Sequence, residues 1–445
     1  MMASPTDNNS LELIFLNHAS TILRDRSISL LFDPWFEGTC FKQGWGLKYH
    51  NPDSFEFASQ CTHLWVSHFH GDHFHVPTLK KILALNPTIQ ILANDDANFS
   101  MVEAMKELGF KNITPLSARK VMQLGNRWQI SRFPATGIDN MLLVEIDEIK
   151  VLNYNDCNLP LKTILGLKKY IGDIDILLNN FNHAGKLREY SLRQVREIKE
   201  GQRDTFSKVI SAFVPQYIIP FASHHYYRDR LSWEQNESLL ESYELGKASD
   251  RVIPLKIGEK LIYPSSNQKV TIETVSQNIQ ENPIIPCQPK VCEEEKLLAI
   301  ARKYMQNLSL SFWGLPRLLP PLRIYFLDKQ TILEISPSQK PNIQQGDKQT
   351  AHIATYSGYV QDWLETNYGT DGMEIGAHYE IANEEGIKIL NWYILLGLLF
   401  DNRLTFNNIF KMLLTYKGIL FFWHRREEII RVLFGRKLVA SRSRL

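Results

Sequence analysis

Within the six residues His68-Phe69-His70-Gly71-Asp72-His73 the chain places three imidazoles and a carboxylate. Neutral imidazole nitrogen and carboxylate oxygen are the donors that zinc and iron take. Their order is more informative than their number. His68 and His70 lie two apart and can project to one side, while Asp72 and His73 follow past a glycine that lets the backbone turn. One loop can then offer two pairs of ligands to two neighbouring metals, the arrangement that clamps an attacking and a leaving oxygen. Asp72 has a second task there, orienting a bound water and shuttling its proton.

Such a loop works only if rigid elements hold it. It follows the strand-like His63-Leu64-Trp65-Val66-Ser67. Upstream, the strand pattern Leu11-Glu12-Leu13-Ile14-Phe15-Leu16 leads into Asn17-His18-Ala19-Ser20-Thr21, and a second ends in Leu30-Leu31-Phe32-Asp33-Pro34-Trp35. Downstream, Lys150-Val151-Leu152-Asn153-Tyr154 precedes Asp156, and Tyr217-Ile218-Ile219-Pro220 precedes His224 and His225. A strand end is a firm place from which to hold a ligand. Across residues 11–265 such runs alternate with helical patterns, which predicts a layered α/β body. Residues 266–295 are polar and weakly periodic, as in a linker or an extended crossing segment. From 296 to 445 a helix, two strand-like runs and several further helices predict a smaller α+β domain with a helical C-terminus. At 445 residues the chain exceeds what one core usually supports, in keeping with two domains.

The His-X-His-X-Asp-His run and its flanks resemble the metallo-β-lactamase fold superfamily. Within it they are most similar to the branch of CMP-N-acetylneuraminate hydroxylases and ascorbate-phosphate lactonases. The residues that carry this are Asn17-His18-Ala19-Ser20, Phe32-Asp33-Pro34-Trp35, Ser67 to His73 with Pro77-Thr78-Leu79-Lys80-Lys81, Leu152 to Cys157, and Pro220-Phe221-Ala222. The resemblance implies an αββα sandwich whose two sheets lie between helices. It implies His68, His70, Asp72 and His73 as metal ligands, Asp156 as the bridging carboxylate, His18 beside the pocket as a substrate-binding or proton-shuttling group, and Asp33 as a brace behind the histidine loop. Two more histidines normally finish this site. The first belongs just before Asp139, yet no histidine occurs between His75 and His183, so water, substrate or His183 must fill that position. The second would fall at Ala222, and the chain offers His224 and His225 instead. If the backbone stays extended, alternation puts His224 on the side of residue 222 and favours it as the ligand.

Three functions follow. The leading one is a metal-dependent hydrolase, with two zinc or manganese ions, acting on a small phosphorylated, acylated or nucleotide-sugar-like molecule. The second is a di-iron oxygenase like the sialic-acid hydroxylases. Their Rieske electron-transfer domain has no counterpart, because Cys61-Thr62-His63 finds no matching Cys-X-X-His, so electrons would come from a separate protein. The third is a metal-poor binding or scaffold protein. A net charge of +2 gives no reason to expect nucleic acid. Five scattered cysteines fit a reducing compartment, and residues 1–10 show no basic-then-apolar leader, which makes the cytoplasm the default. Two apolar segments, 387–400 and 409–423, fall short of the roughly 20 residues of a spanning helix and read as core helices rather than membrane contacts.

Overall fold

The computed structural model describes residues 10–424 apart from 97–99, 136–137, 188–191, 247–248 and 265–268. Period-two alternation builds its centre. In the strand Leu11–Asn17, Leu13 and Phe15 point into one apolar cluster and Ile14 and Leu16 into another. A strand buried on both faces must be covered twice, and the layers follow from that requirement.

One sheet has eight strands, ordered Thr271–Thr274, Glu259–Tyr263, Leu11–Asn17, Ser20–Arg24, Ser29–Phe32, His63–Trp65, Gln90–Asn94 and Ile113–Leu116. Its first half pairs antiparallel, and from Ser29–Phe32 onward it is parallel. The other has six strands, from Val121–Leu124 through Trp128–Pro134, Asn140–Ile146, Ile149–Asn155 and Ile176–Asn179 to Tyr217–Pro220, and its last three are parallel. Phe15, Phe32 and Trp65 of the first sheet meet Trp128, Leu142 and Leu178 of the second in the central core. Outside, Leu79, Ile82 and Met105 of two helices cover the first sheet, and Ile164, Leu167 and Val209 of two others cover the second. The expected αββα sandwich is the observed architecture.

The segment after this sandwich does not hang free. Thr271–Thr274 extends the first sheet, and Gln280–Glu281 pairs with Tyr49–His50. Beyond it, a five-stranded sheet, in the order Gln339–Gln345, Thr331–Ser336, Leu322–Phe326, Ile353–Thr355 and Glu380–Ile381, packs with helices around a separate apolar cluster. Cys287 and Cys292 are buried thiols of that cluster. We take the two cores as two domains. The segment 387–400 lies in the helix Glu384–Asp401 and buries Ile389, Leu390, Tyr393 and Ile394, as a core helix should. The segment 409–423 departs from that reading: it breaks into Phe406–Leu413 and Tyr416–His424, and most of its large side chains face solvent. Among the described residues no helix is long and apolar enough to cross a membrane.

Candidate metal centre

The histidine loop leaves the C-terminal end of the strand His63–Trp65, at the mouth between the sheets. It closes on itself through His73 N–H and Phe74 N–H, both donated to the His70 carbonyl. His75 then caps the helix Val76–Leu85 by accepting the Thr78 N–H. Gly71 keeps an ordinary negative φ, so the turn does not require it for conformational freedom. A Cβ there would stand 3.1 Å from the Cys40 Cβ, and closeness of approach is its reason. His18, Asp33, Asn155 and Ala222 all carry positive φ where strands meet the site, at 34°, 41°, 57° and 52°. Strain of this kind, held by a packed frame, gathers at functional sites.

Asp33 braces the loop from behind. One of its oxygens accepts the Ser67 N–H at 2.7 Å. The other accepts from Asn155 Nδ2 at 2.7 Å and lies 3.1 Å from His73 Nδ1. His73 therefore presents Nε2 to the interior, with its tautomer set by a carboxylate behind it.

Two groups of donors converge in front of the loop. In the first, His68 Nε2 lies 2.8 Å from His70 Nδ1 and 3.7 Å from an Asp139 oxygen. In the second, His73 Nε2 lies 3.1 Å from Asp156 Oδ2 and 3.3 Å from Asp72 Oδ2, and His18 Nε2 lies 3.2 Å from the same Asp72 oxygen. Asp156 also falls within one cluster with His68 and His73, between the two groups, where a bridging ligand has to be. The fit to divalent ions can be tested from spacing. Two donors about 2.1 Å from one ion and at right angles to it are roughly 3.0 Å apart, close to these contacts. Asp72 Oδ1 and Asp156 Oδ1 are buried with no hydrogen-bond partner, as expected of atoms whose partner is a cation.

Electrostatics agree with that chemistry. Burial opposes charge on His73, but Asp72, Asp156 and Asp33 together hold its pKa well above the usual imidazole value. Burial likewise opposes charge on Asp72, and His73 and His18 still draw it well below the ordinary carboxylate range. Burial, with His73 and His70 nearby, drives His68 well below, so it is neutral and free to ligate. These residues form a cluster organised around positive charge.

Of the residues marked out in the sequence, His18, His68, His70, Asp72, His73 and Asp156 come together. His224 does not join them. The extension assumed past Pro220 fails, because the strand ends there and Ala222 takes a left-handed conformation. The His224 ring instead packs edge-on against Phe15 and Phe181, at 5.1 and 5.7 Å. His225 faces the site, stacked on Trp45 at 3.6 Å and 5.6 Å from the His18 ring, with both ring nitrogens buried and unbonded. The position lacking a histidine is met by Asp139 itself, which a search for imidazole passes over. His183 is held by Gln202, whose Oε1 lies 2.7 Å from its backbone N–H and 3.0 Å from its Nδ1. Asp371 was not foreseen at all. It comes from the C-terminal domain, is buried, and places an oxygen 3.9 Å from His70 Nε2.

A cavity of about 260 Å³ opens beside these donors. Phe41, Trp45, Asp139 and Asp156 line it, together with Asn158, Asn180, Gln202 and Thr205. Ile375 of the C-terminal domain closes one side. Among the described residues its lining holds no Lys or Arg.

No protein-family model matches the chain. Over 225 residues, 48% of its length, the sequence is 24% identical to the inactive cytidine monophosphate-N-acetylneuraminic acid hydroxylase of Homo sapiens. The identity is also 24% over 225 residues to the corresponding hydroxylase of Mus musculus. The match spans 45% of the human protein and 39% of the mouse one, so the chain corresponds to less than half of these relatives. Among solved structures, CmlA, a diiron beta-hydroxylase from Streptomyces venezuelae, is similar over 59% of this chain and 55% of its own, with TM-score 0.42 and 17% identity. Igni18, a metallo hydrolase from Ignicoccus hospitalis, is similar over 58% of this chain and all of its own, with TM-score 0.42 and 12% identity. With a two-sheet sandwich between helices and a His-X-His-X-Asp-His loop after the strand His63–Trp65, the chain has the metallo-β-lactamase fold.

Proposed function

We propose that the protein is a two-metal oxygenase that hydroxylates a small organic molecule held in the cavity beside Asp139. One observation carries the reading: Asp139 stands with His68 and His70 where a third imidazole was expected. Two imidazoles and one carboxylate form the donor set of non-haem iron oxygenases, and the added carboxylate makes the site harder than three imidazoles would. His68, His70 and Asp139 would hold one ion, Asp72, His73 and His225 the other, and Asp156 would bridge them. Iron bound there would supply the reduction of dioxygen that protein side chains cannot perform alone.

The residues around the metals have their own tasks. Asp33 fixes His73 through its second nitrogen. His18 is buried with Nε2 against Asp72, so it can hold a proton at that carboxylate or pass one to it. Trp45 and Phe41 wall the site with aromatic surface and keep bulk water from it. Of the phosphorylated, acylated or nucleotide-sugar-like substrates expected from sequence, the amide-rich described lining suits a neutral hydroxyl- or amide-bearing group best. Each turnover needs two electrons, which a separate electron-donor protein would deliver.

The test is metal analysis of protein expressed in iron-replete medium and purified without added metal. Two irons per chain, with an absorbance change when the reduced protein meets dioxygen, are expected. Two zincs and no such change would overturn the reading. That result would favour the metal-dependent hydrolase, for which Asp72, with its unpartnered Oδ1 at the cavity, would orient the attacking water.

A further inference from the structure

The helices Phe406–Leu413 and Tyr416–His424 wear their apolar side chains on the outside. Met412 and Phe421 are buried, but Phe410, Leu413, Leu414, Tyr416, Ile419 and Trp423 are each half or more exposed. The surface continues across a neighbouring turn. Trp313, 67% exposed, lies 5.3 Å from the Phe406 ring and donates its indole N–H to Asn407. Isolated exposed hydrophobes need no explanation, whereas a run of them along adjoining elements marks an interaction surface.

Charge indicates the partner. Residues 424–445 hold seven Lys or Arg against two Glu, although the whole chain is only +2. A second copy docked on this face about a two-fold axis would bring two such basic segments together, and like charges oppose that. An anionic lipid surface attracts both, with a gain for every basic residue near it. Tryptophan and tyrosine are also the side chains that settle at the headgroup level of a bilayer. The two helices have 8 and 9 residues, far short of a span, so they would lie in the surface rather than cross it. Lys417 pairs with Asp95 of the sandwich at 2.7 Å and ties this hairpin to the catalytic body.

We propose that this face docks the protein on an anionic membrane surface, with the helical hairpin in the headgroup plane and the positive charge of the sequence that follows adding to the attraction. The inference is independent of the metal chemistry. Its test is co-sedimentation of the full chain with vesicles of phosphatidylcholine alone and with phosphatidylserine added. Binding to the anionic vesicles should exceed that to neutral ones by roughly tenfold or more and fall at high salt. The triple variant Phe410→Ser, Leu414→Ser, Trp423→Ser should lose it while keeping its metal content and circular dichroism. Replacing Arg425, Arg426, Arg431, Arg436 and Lys437 by Gln should remove the preference for phosphatidylserine. No vesicle binding, or equal binding to both lipids, would overturn the proposal. So would a dimer in light scattering that the triple variant dissolves, which would assign the face to a second copy. Protection of Phe410 and Trp423 from hydroxyl-radical labelling without vesicles would also overturn it, since the chain would then cover its own patch.

Discussion

At residue scale the question is what Asp139 does to the metal beside it. A carboxylate in place of an imidazole adds negative charge and a harder donor, which favours iron or manganese over zinc. Replacing Asp139 with Ala should cost one of two metals per chain and lower activity by roughly 100-fold, as losing a direct ligand should exceed the 10–100-fold typical of an indirect one. Asp139→His should keep two metals and shift the bound ion toward zinc. Elemental analysis of both proteins checks this, and two retained irons in the Ala variant would remove Asp139 from the ligand set. The pair His224 and His225 makes a second residue-scale prediction. His225→Ala should weaken metal binding roughly tenfold or more in a chelator competition. His224→Ala should leave metal binding alone and cost about 1–2 kcal/mol of stability through lost ring packing. The reverse pattern would return the ligand role to His224. Period-two reasoning chose His224 because it has no means of seeing the left-handed turn at Ala222. Asp139 was visible as a letter and passed over because the vacancy was defined by residue type.

At the scale of elements, the sandwich was legible because alternation writes it directly into the strands. Leu13 and Phe15 face one core and Ile14 and Leu16 the other, and no distant contact is needed to read that. The helix Gly369–Ile375 was not legible as part of the site, since what it touches is some 300 residues away in sequence. It is seated by a contact between glycines: a Cβ on Gly44 would fall 2.5 Å from the Gly376 Cα and 2.6 Å from its carbonyl oxygen. Backbone atoms cannot rotate aside as side chains do. Gly44→Ala should therefore lift this helix and cost about 1–3 kcal/mol, the usual range for overpacking. Asp371 rides on the same helix and would orient His70 through its outward nitrogen. Burial, with Asp401 and Glu374 nearby, pushes the Asp371 carboxyl up to about 8. A hydrogen-bonding role then has to be tested by shape as well as charge. Asp371→Ala should lower metal affinity roughly tenfold and Asp371→Asn should restore most of it, because the amide keeps the shape and a polar oxygen facing His70. Equal affinity in all three proteins, by competition with a chromophoric chelator, would reduce Asp371 to a packing residue.

For the whole molecule, the change of pattern near residue 296 suggests two domains and the structure holds separate apolar clusters on either side of it, but no pattern in the sequence shows the joint between them. One imidazole lies at that joint, beside the close approach of Gly44 to Gly376. His378 of the C-terminal domain lies with Nδ1 2.5 Å from Asp229 Oδ2 and Nε2 2.9 Å from the Phe41 carbonyl. Both partners, a carboxylate and a backbone carbonyl, belong to the sandwich side, so each ring nitrogen ties the C-terminal part to it. Its face stacks on Tyr359 at 4.0 Å, whose hydroxyl lies 2.9 Å from the Cys287 thiol. Asp229, Cys287 and His378 have the residue types of a metal site, but the Asp229 and His378 donor atoms are engaged with each other and with backbone, and the Cys287 thiol with the Tyr359 hydroxyl. The cluster is better understood as a buried hydrogen-bonded contact between the two parts of the chain. Phe41 lies at once beneath His378 and in the wall of the cavity, so the joint also sets the shape of the site. Removing one member of a buried pair strands the other charge, which typically costs about 3–5 kcal/mol. His378→Ala should show that loss in denaturant unfolding, together with a raised KM once a substrate is known. Asp229→Asn in the His378→Ala background should recover part of the stability by deleting the stranded carboxylate. If the single variant unfolds like the parent and the double variant gains nothing, the two domains are held together by apolar contact alone.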